Sequence, residues 1–164
     1  MKGVYHTTSR IDGLGICAGE NIKKGDVIQH IKGKVRFKIN KNKRDALSHP
    51  NWVGLKKNKW IDPDYPNKYL NHSCNPNAGI RGSVTMVAIK NINEGEEITV
   101  DYSIIEGDHM WEMECKCGEK NCRKIIRSVQ FLSERQFKKY LPYVPKYFQE
   151  IHKRYVVKQF KNGQ

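Results

Sequence analysis

Nine consecutive residues, Tyr69-Leu70-Asn71-His72-Ser73-Cys74-Asn75-Pro76-Asn77, carry an aromatic ring, three amides, an imidazole, a hydroxyl and a thiol. That density of hydrogen-bonding and ligating groups suits a site better than a core. Asn, Ser and His compete with the backbone for hydrogen bonds and Pro76 lacks a donor, so the run predicts an ordered polar loop between two strands. Two other stretches are expected to converge on it: Glu96-Glu97-Ile98-Thr99-Val100-Asp101-Tyr102 and Cys115-Lys116-Cys117-Gly118-Glu119-Lys120-Asn121-Cys122.

Cys115, Cys117 and Cys122 bring three thiols into one short loop, and Lys116, Lys120 and Arg123 beside them favour the thiolate that ligates metal. A structural zinc site takes four ligands, so one must come from elsewhere. The candidates are Cys74, Cys17, His72 and His109. Cys17 lies among small and apolar residues, the setting of an inert buried thiol. A site completed by Cys74 would pin the tail against the polar loop. His72 and Cys74 do not read as a nucleophile and base, because no third group orients the imidazole. Tyr102, taken alone, is a half-buried tyrosine at a strand end. Gly13-Leu14-Gly15-Ile16-Cys17-Ala18 matches a dinucleotide fingerprint in letters only, since Gly19 and Gly25 bracket a polar turn where a helix should start. The glycine pair still permits close approach of backbone to a ligand.

The elements that must position these groups are mostly strands. Residues 4–7 read as a strand before a glycine turn over residues 10–16. The turn at residues 21–26 feeds a strand at 27–31. Residues 32–59 hold ten Lys or Arg against the single acid Asp45, with one weak helical patch and a strand at 52–55. Residues 82–89 are β-rich, and a turn at 93–96 leads into a strand at 97–101. The end of the chain is helical. Ser133-Glu134-Arg135-Gln136 is a capping box with Leu132 and Phe137 as its staple, and that helix should stop near Pro142. Pro145 opens a second helix with Tyr147, Phe148, Ile151, Tyr155 and Phe160 close to one face.

At 164 residues the chain is one domain large enough for its own core, and 8 Tyr, 5 Phe and 3 Trp argue against disorder despite 29% charged residues. The net charge of +13 favours acidic partners. The stretch 32–59 is either a solvated face or a surface for an acidic protein or nucleic acid. No apolar run approaches the roughly 18 residues of a membrane span, and the N-terminus lacks a secretory core, so no membrane partner is expected. Five cysteines, three of them clustered, point to ligands in a reducing compartment and so to a cytoplasmic or nuclear protein.

Together the blocks resemble the SET-domain protein-lysine methyltransferases with a post-SET zinc tail. Asn71-His72-Ser73-Cys74-Asn75-Pro76-Asn77 looks like the family's NHSCxPN, and Gly95 to Tyr102 looks like its GEELTxDY. Gly13-Leu14-Gly15 sits where the family has its cofactor-contacting G-x-G, and Cys115 to Cys122 resembles the post-SET pattern. The resemblance spans residues 3–127. It implies a mostly β fold with a knot-like crossing, followed here by C-terminal helices: a SET domain over 1–112, a post-SET zinc segment over 113–127 and a helical extension over 128–164.

The resemblance further implies S-adenosyl-L-methionine as cofactor and one structural Zn2+ held by Cys74, Cys115, Cys117 and Cys122. Cofactor contacts would come from Gly13, Leu14 and Gly15, from Lys68 and Tyr69 flanking it, from Asn71 and His72 at its polar end and adenine, and from Ile125 over the adenine. Tyr102 would be the catalytic tyrosine. The partner would be a protein presenting a lysine, a histone or another nucleic-acid-associated protein. Two departures bear on the lysine channel: Ile31 stands where the family often has a tyrosine, and Val100 where it has Phe or Tyr. Both remove ring bulk, which predicts a roomier channel and higher methylation states. A third, Lys124, replaces a common glycine after the Cys-Arg pair. The rival reading is a non-catalytic, zinc-stabilised basic module that binds nucleic acid or protein. Intact Asn71, His72 and Tyr102 weigh against it.

Overall fold

The computed structural model describes residues 1–37 and 52–162. Twelve short strands and two helices make up the described chain, in the order β1 (Val4–Thr8), β2 (Leu14–Ala18), β3 (Val27–His30), β4 (Gly33–Phe37), β5 (Val53–Lys56), β6 (Lys59–Pro63), β7 (Asn71–His72), β8 (Ala78–Arg81), β9 (Thr85–Ala88), β10 (Glu97–Val100), β11 (Glu112–Glu114), β12 (Ile125–Arg127), α1 (Glu134–Tyr140) and α2 (Lys146–Asn162). They form four small sheets: β1-β2-β10-β7, β3-β9-β8, β4-β6-β5 and β11-β12.

Gly13, at φ +49°, turns the chain between β1 and β2, a left-handed conformation that favours glycine. β2 then pairs antiparallel with β10, setting Ile98 opposite Ile16. The other edge of β10 takes β7 in parallel, with Thr99 opposite Asn71 and Val100 opposite His72. This pairing joins the two motif-bearing stretches. The expected polar loop at 69–77 is thus part strand, and it is largely interior: Leu70, His72, Ser73, Cys74 and Asn77 are buried. Its polar groups are tolerated there because they find partners. The Asn77 side chain accepts from Thr99 N (2.9 Å) and donates to Glu97 O (2.8 Å), and Ser73 N donates to Val100 O (3.0 Å).

Residues 82–89, expected to be strand-like throughout, divide into the end of a hairpin turn and β9, with β8 as the partner strand. The described part of 32–59 is strand and turn. The helical patch expected in that stretch falls to residues 38–51, outside the described residues.

One core cluster runs through Ile16, Ile28, Ile80, Met86, Ile98 and Val100 and continues into Phe137, Tyr140, Val144 and Phe148 of the C-terminal part. The capping box forms as its sequence requires, with the Ser133 side chain accepting from Gln136 N. α1 ends at Tyr140, before Pro142. On α2, Phe148 is buried and Tyr147, Ile151 and Tyr155 are half-buried, while the Phe160 side chain lies outside the described residues. His152 is buried as well; its Nε2 lies 2.9 Å from Leu132 O and its ring stacks on Phe137 at 3.8 Å. No described helix is long and apolar enough to cross a membrane.

Candidate functional site

β7 supplies Asn71 and His72, and Tyr102 opens the 3-10 turn Tyr102–Ile105 that follows β10. The parallel pairing places these three beside one cavity of about 250 Å³, which Ile11, Asp12, Met113 and Lys116 also line. Its walls come from three separated parts of the chain: the loop before Gly13, the β7–Tyr102 crossing and the cysteine tail.

Each polar wall group is held in a defined state. The Asn71 amide nitrogen donates to Glu97 Oε1 (2.8 Å), Leu14 O (3.0 Å) and Asp12 O (3.2 Å), which leaves Oδ1 as the acceptor end of that side chain. Glu97 is fixed in turn by the Ser9 hydroxyl, 2.9 Å from both carboxylate oxygens. A Cβ on Gly15 would meet the Glu97 carboxylate and push it off its place between Ser9 and Asn71. His72 Nδ1 accepts from Tyr102 N at 3.1 Å, which assigns the ring proton to Nε2, 3.4 Å from Cys74 Sγ. Burial lowers the His72 pKa to about 4, against the opposing pull of Asp101, so the imidazole is neutral at physiological pH. Because Nδ1 is already an acceptor, it cannot donate to Asp101 Oδ1, 3.7 Å away. That removes the protease-like reading of His72 and Cys74.

The Tyr102 hydroxyl donates to Leu70 O at 2.5 Å. Burial, aided by the negative charges of Asp12 and Glu97, pushes its pKa well above the ordinary tyrosine value. Tyr102 therefore stays protonated, its hydroxyl held as a donor to Leu70 O. Ile31 and Val100 are buried in the same core cluster as Tyr102.

Cys74, Cys115, Cys117 and Cys122 form the second centre. Their sulfurs all lie within 4.8 Å of one another, and all four are free thiols. Four soft donors converging without a disulfide fit the tetrahedral S4 set of a structural zinc site. Of the other ligand candidates, Cys17 is buried in β2, and His109 packs against Phe131 and Tyr155. His72 approaches the cluster as a donor to sulfur. The cluster can hold a metal ion, and Cys74 is its fourth member.

The remaining expected cofactor residues lie around the first cavity without lining it. Gly13, Leu14 and Gly15 form the adjoining β1–β2 hairpin. Lys68 and Tyr69 precede β7, with Lys68 over the Tyr69 ring at 4.9 Å and Tyr69 stacked on His6 at 5.3 Å. Ile125 is 52% exposed on β12, paired with Glu114 of β11. Ile11, Asp12, Met113, Glu114 and Lys116 line the cavity and were missed by sequence reasoning. Their only signal was adjacency to Gly13 and Cys115. Lys116 Nζ reaches Asp12 Oδ1 at 3.2 Å and links tail to loop. A larger cavity of about 290 Å³ lies beyond the other end of the Tyr102–Ile105 turn, among Trp60, Glu106 and Phe148, with Lys56 and Lys57 also in its lining.

The SET-domain family model matches residues 13–103, more than half of the chain and all of the β7–β10 crossing. The chain belongs to the SET-domain family. This SET domain is 31% identical over 139 residues to human histone-lysine N-methyltransferase 2D, covering 75% of the chain but 2% of that protein. It is 32% identical over 132 residues to the H3 lysine-36-specific histone-lysine N-methyltransferase of Debaryomyces hansenii, covering 71% of the chain and 18% of the relative. A solved structure of KRYPTONITE with mCHH DNA, an H3(1-15) peptide and SAH matches with a TM-score of 0.57 at 23% identity, over 77% of this chain and 30% of that one. That likeness shows the fold: a predominantly β SET-type body with a post-SET-like four-cysteine cluster and C-terminal helices. The chain spans well under half the length of these relatives.

Proposed function

We propose that this SET domain transfers methyl groups from S-adenosyl-L-methionine to the side-chain amine of a lysine in a protein substrate. The observation that carries this reading is the convergence of Asn71, neutral His72 and protonated Tyr102 on one cavity. S-adenosylmethionine, when bound there, supplies a methyl group on a sulfonium, open to in-line attack by an amine. Asn71 Oδ1, left free as an acceptor, could take an ammonium or hydroxyl of the cofactor, and the Gly13-Leu14-Gly15 backbone, Lys68, Tyr69 and Ile125 would help to hold it.

The lysine must lose its proton before it attacks. Removal from water among apolar side chains such as Ile31 and Val100 favours the neutral amine. With that proton released to bulk water, transfer would form the lysine N–C bond at the expense of the cofactor's S–C bond, the electron pair staying on sulfur. Tyr102 and the Leu70 carbonyl beside it orient the amine and offset positive charge near the moving methyl. Zn2+ on Cys74, Cys115, Cys117 and Cys122 is structural and takes no part in transfer.

Residues 1–112 form the catalytic unit, 113–127 the zinc-bound wall and 128–164 a supporting extension. Histones or other nucleic-acid-associated proteins are the substrate class, supported by the names of the relatives; the +13 charge disfavours a free basic histone tail and fits a nucleosome or another protein bound to nucleic acid. Lys56 and Lys57, at the larger cavity, belong to the 32–59 surface that would meet an acidic protein region or nucleic acid. A cytoplasmic or nuclear setting follows from that class. The test is transfer of tritiated methyl from S-adenosylmethionine to a panel of histones, nucleosomes and ribosomal proteins. Label on lysine is expected. No label, together with no cofactor binding by calorimetry, would overturn the reading in favour of the non-catalytic basic module.

A further inference from the structure

We propose that Arg123 is a positioning residue that couples the four-cysteine site to the backbone around Tyr102. It follows Cys122 directly, and its side chain turns inward until only 19% is exposed. Its backbone N and its Nε each lie 3.4 Å from Cys74 Sγ. The same guanidinium reaches Asp101 Oδ1 at 2.6 Å through Nη2 and Ser103 Oγ at 3.2 Å through Nη1. Asp101 and Ser103 are the two neighbours of Tyr102 in the chain. One planar group thus touches a metal-ligating sulfur and both residues that flank the tyrosine.

The charges require this arrangement. Asp101 is 1% exposed, and a buried carboxylate needs a cation. His72 Nδ1, 3.7 Å away, accepts from Tyr102 N and so has no proton there to offer Asp101. Arg123 is therefore the cation that meets Asp101. Four thiolates around one Zn2+ would leave that centre with a net charge of about −2, so the guanidinium stands between two anionic groups. Asp101 Oδ1 also accepts from Ser103 N at 3.0 Å, which fixes the first turn after β10. Tyr140 of α1 faces the same group, its hydroxyl pKa pushed up by burial and then by Asp101.

Two routes consequently run from Cys74 to Tyr102. One passes through Arg123 to Asp101 and Ser103, the other through His72 to the Tyr102 amide. Lysine at position 123 keeps the charge but, as a single ammonium, does not span the three partners as a fork does.

Hydrogen exchange at the Tyr102 and Ser103 amides reads this coupling without any methyl acceptor, so the inference stands or falls separately from the proposed activity. In the wild type, removing the metal with a chelator should speed exchange of both amides at least about tenfold relative to Ile98 in β10. In Arg123→Lys the same amides should exchange at least about tenfold faster with one equivalent of metal still bound, and kcat should fall while KM for the cofactor stays within about threefold. Ser103→Ala, a milder variant that removes one guanidinium contact, should show a smaller change in the same direction. Wild-type protection at both amides in metal-bound Arg123→Lys would overturn the inference. So would loss of protection only in proportion to loss of metal.

Discussion

Val100 and Ile31 stand where the family often has aromatic residues, and both are buried in the same core cluster as Tyr102. Neither carries a ring or a hydroxyl, so in the proposed lysine channel an amine would meet fewer hydrogen bonds and more space than among aromatic side chains. Mass spectrometry of an exhaustively methylated substrate should show di- or trimethyllysine, and Val100→Tyr should shift the product toward monomethyllysine. Monomethyl product alone from the wild type would contradict this. Glu106 offers a second test at the same scale. It is buried, and desolvation raises its pKa even though Gly107 N and Asp108 N both donate to it at 2.7 Å. A carboxyl whose folded pKa lies above its unfolded value favours the fold in acid, and that contribution is lost as pH rises through the folded value. Glu106→Gln keeps an acceptor oxygen without the charge. Its stability relative to wild type should therefore improve from pH 4 to pH 8 in thermal melts, and a pH-independent difference would contradict the sign.

Helix α2 holds the body through Phe148, which is 1% exposed and packs against Gly54 of β5. Phe148→Ala should lower the unfolding free energy by about 3–5 kcal/mol in urea titrations, the usual cost of emptying an aromatic site. A loss below about 1 kcal/mol would mean that the extension is only loosely attached. Elements specified by near neighbours were legible in the chain. The Ser133–Gln136 box needs contacts only three residues apart, and β10 follows from a turn and four alternating residues. Elements created by distant pairing were not. β7 is two residues long and exists because Thr99 and Val100 lie alongside it. β8, with the sequence Ala-Gly-Ile-Arg, has no strand signal without β9. The site divides in the same way. Cys115, Cys117 and Cys122 announce themselves by type and spacing, and Asn71, His72, Cys74 and Tyr102 through the motifs that resemble the family's, whereas Ile11, Met113 and the inward turn of Arg123 depend on the finished fold.

Across the whole molecule, the surplus of positive charge is kept apart from the motif-bearing stretches. Residues 32–59 hold ten basic residues against one acid, and residues 128–164 hold eight against two. The rest of the chain carries 12 against 14. The surplus thus resides in two segments outside the SET motifs. The tail contributes a wall of that cavity through Met113, Glu114, Cys115 and Lys116. Chelation should therefore weaken S-adenosylmethionine binding by at least about tenfold in calorimetry while the far-ultraviolet signal of the β body persists. Unchanged affinity after complete metal removal would show that the tail is not needed to form the site.

The most direct test of the methyl-transfer mechanism is the turnover of Tyr102→Phe on the substrate that the wild type labels. Loss of the buried, protonated hydroxyl should cut kcat by about a hundredfold or more and leave cofactor affinity within about threefold, as expected for a group that acts on the reacting amine. A variant that transfers methyl within tenfold of the wild-type rate would contradict the role assigned to Tyr102 and the mechanism built on it.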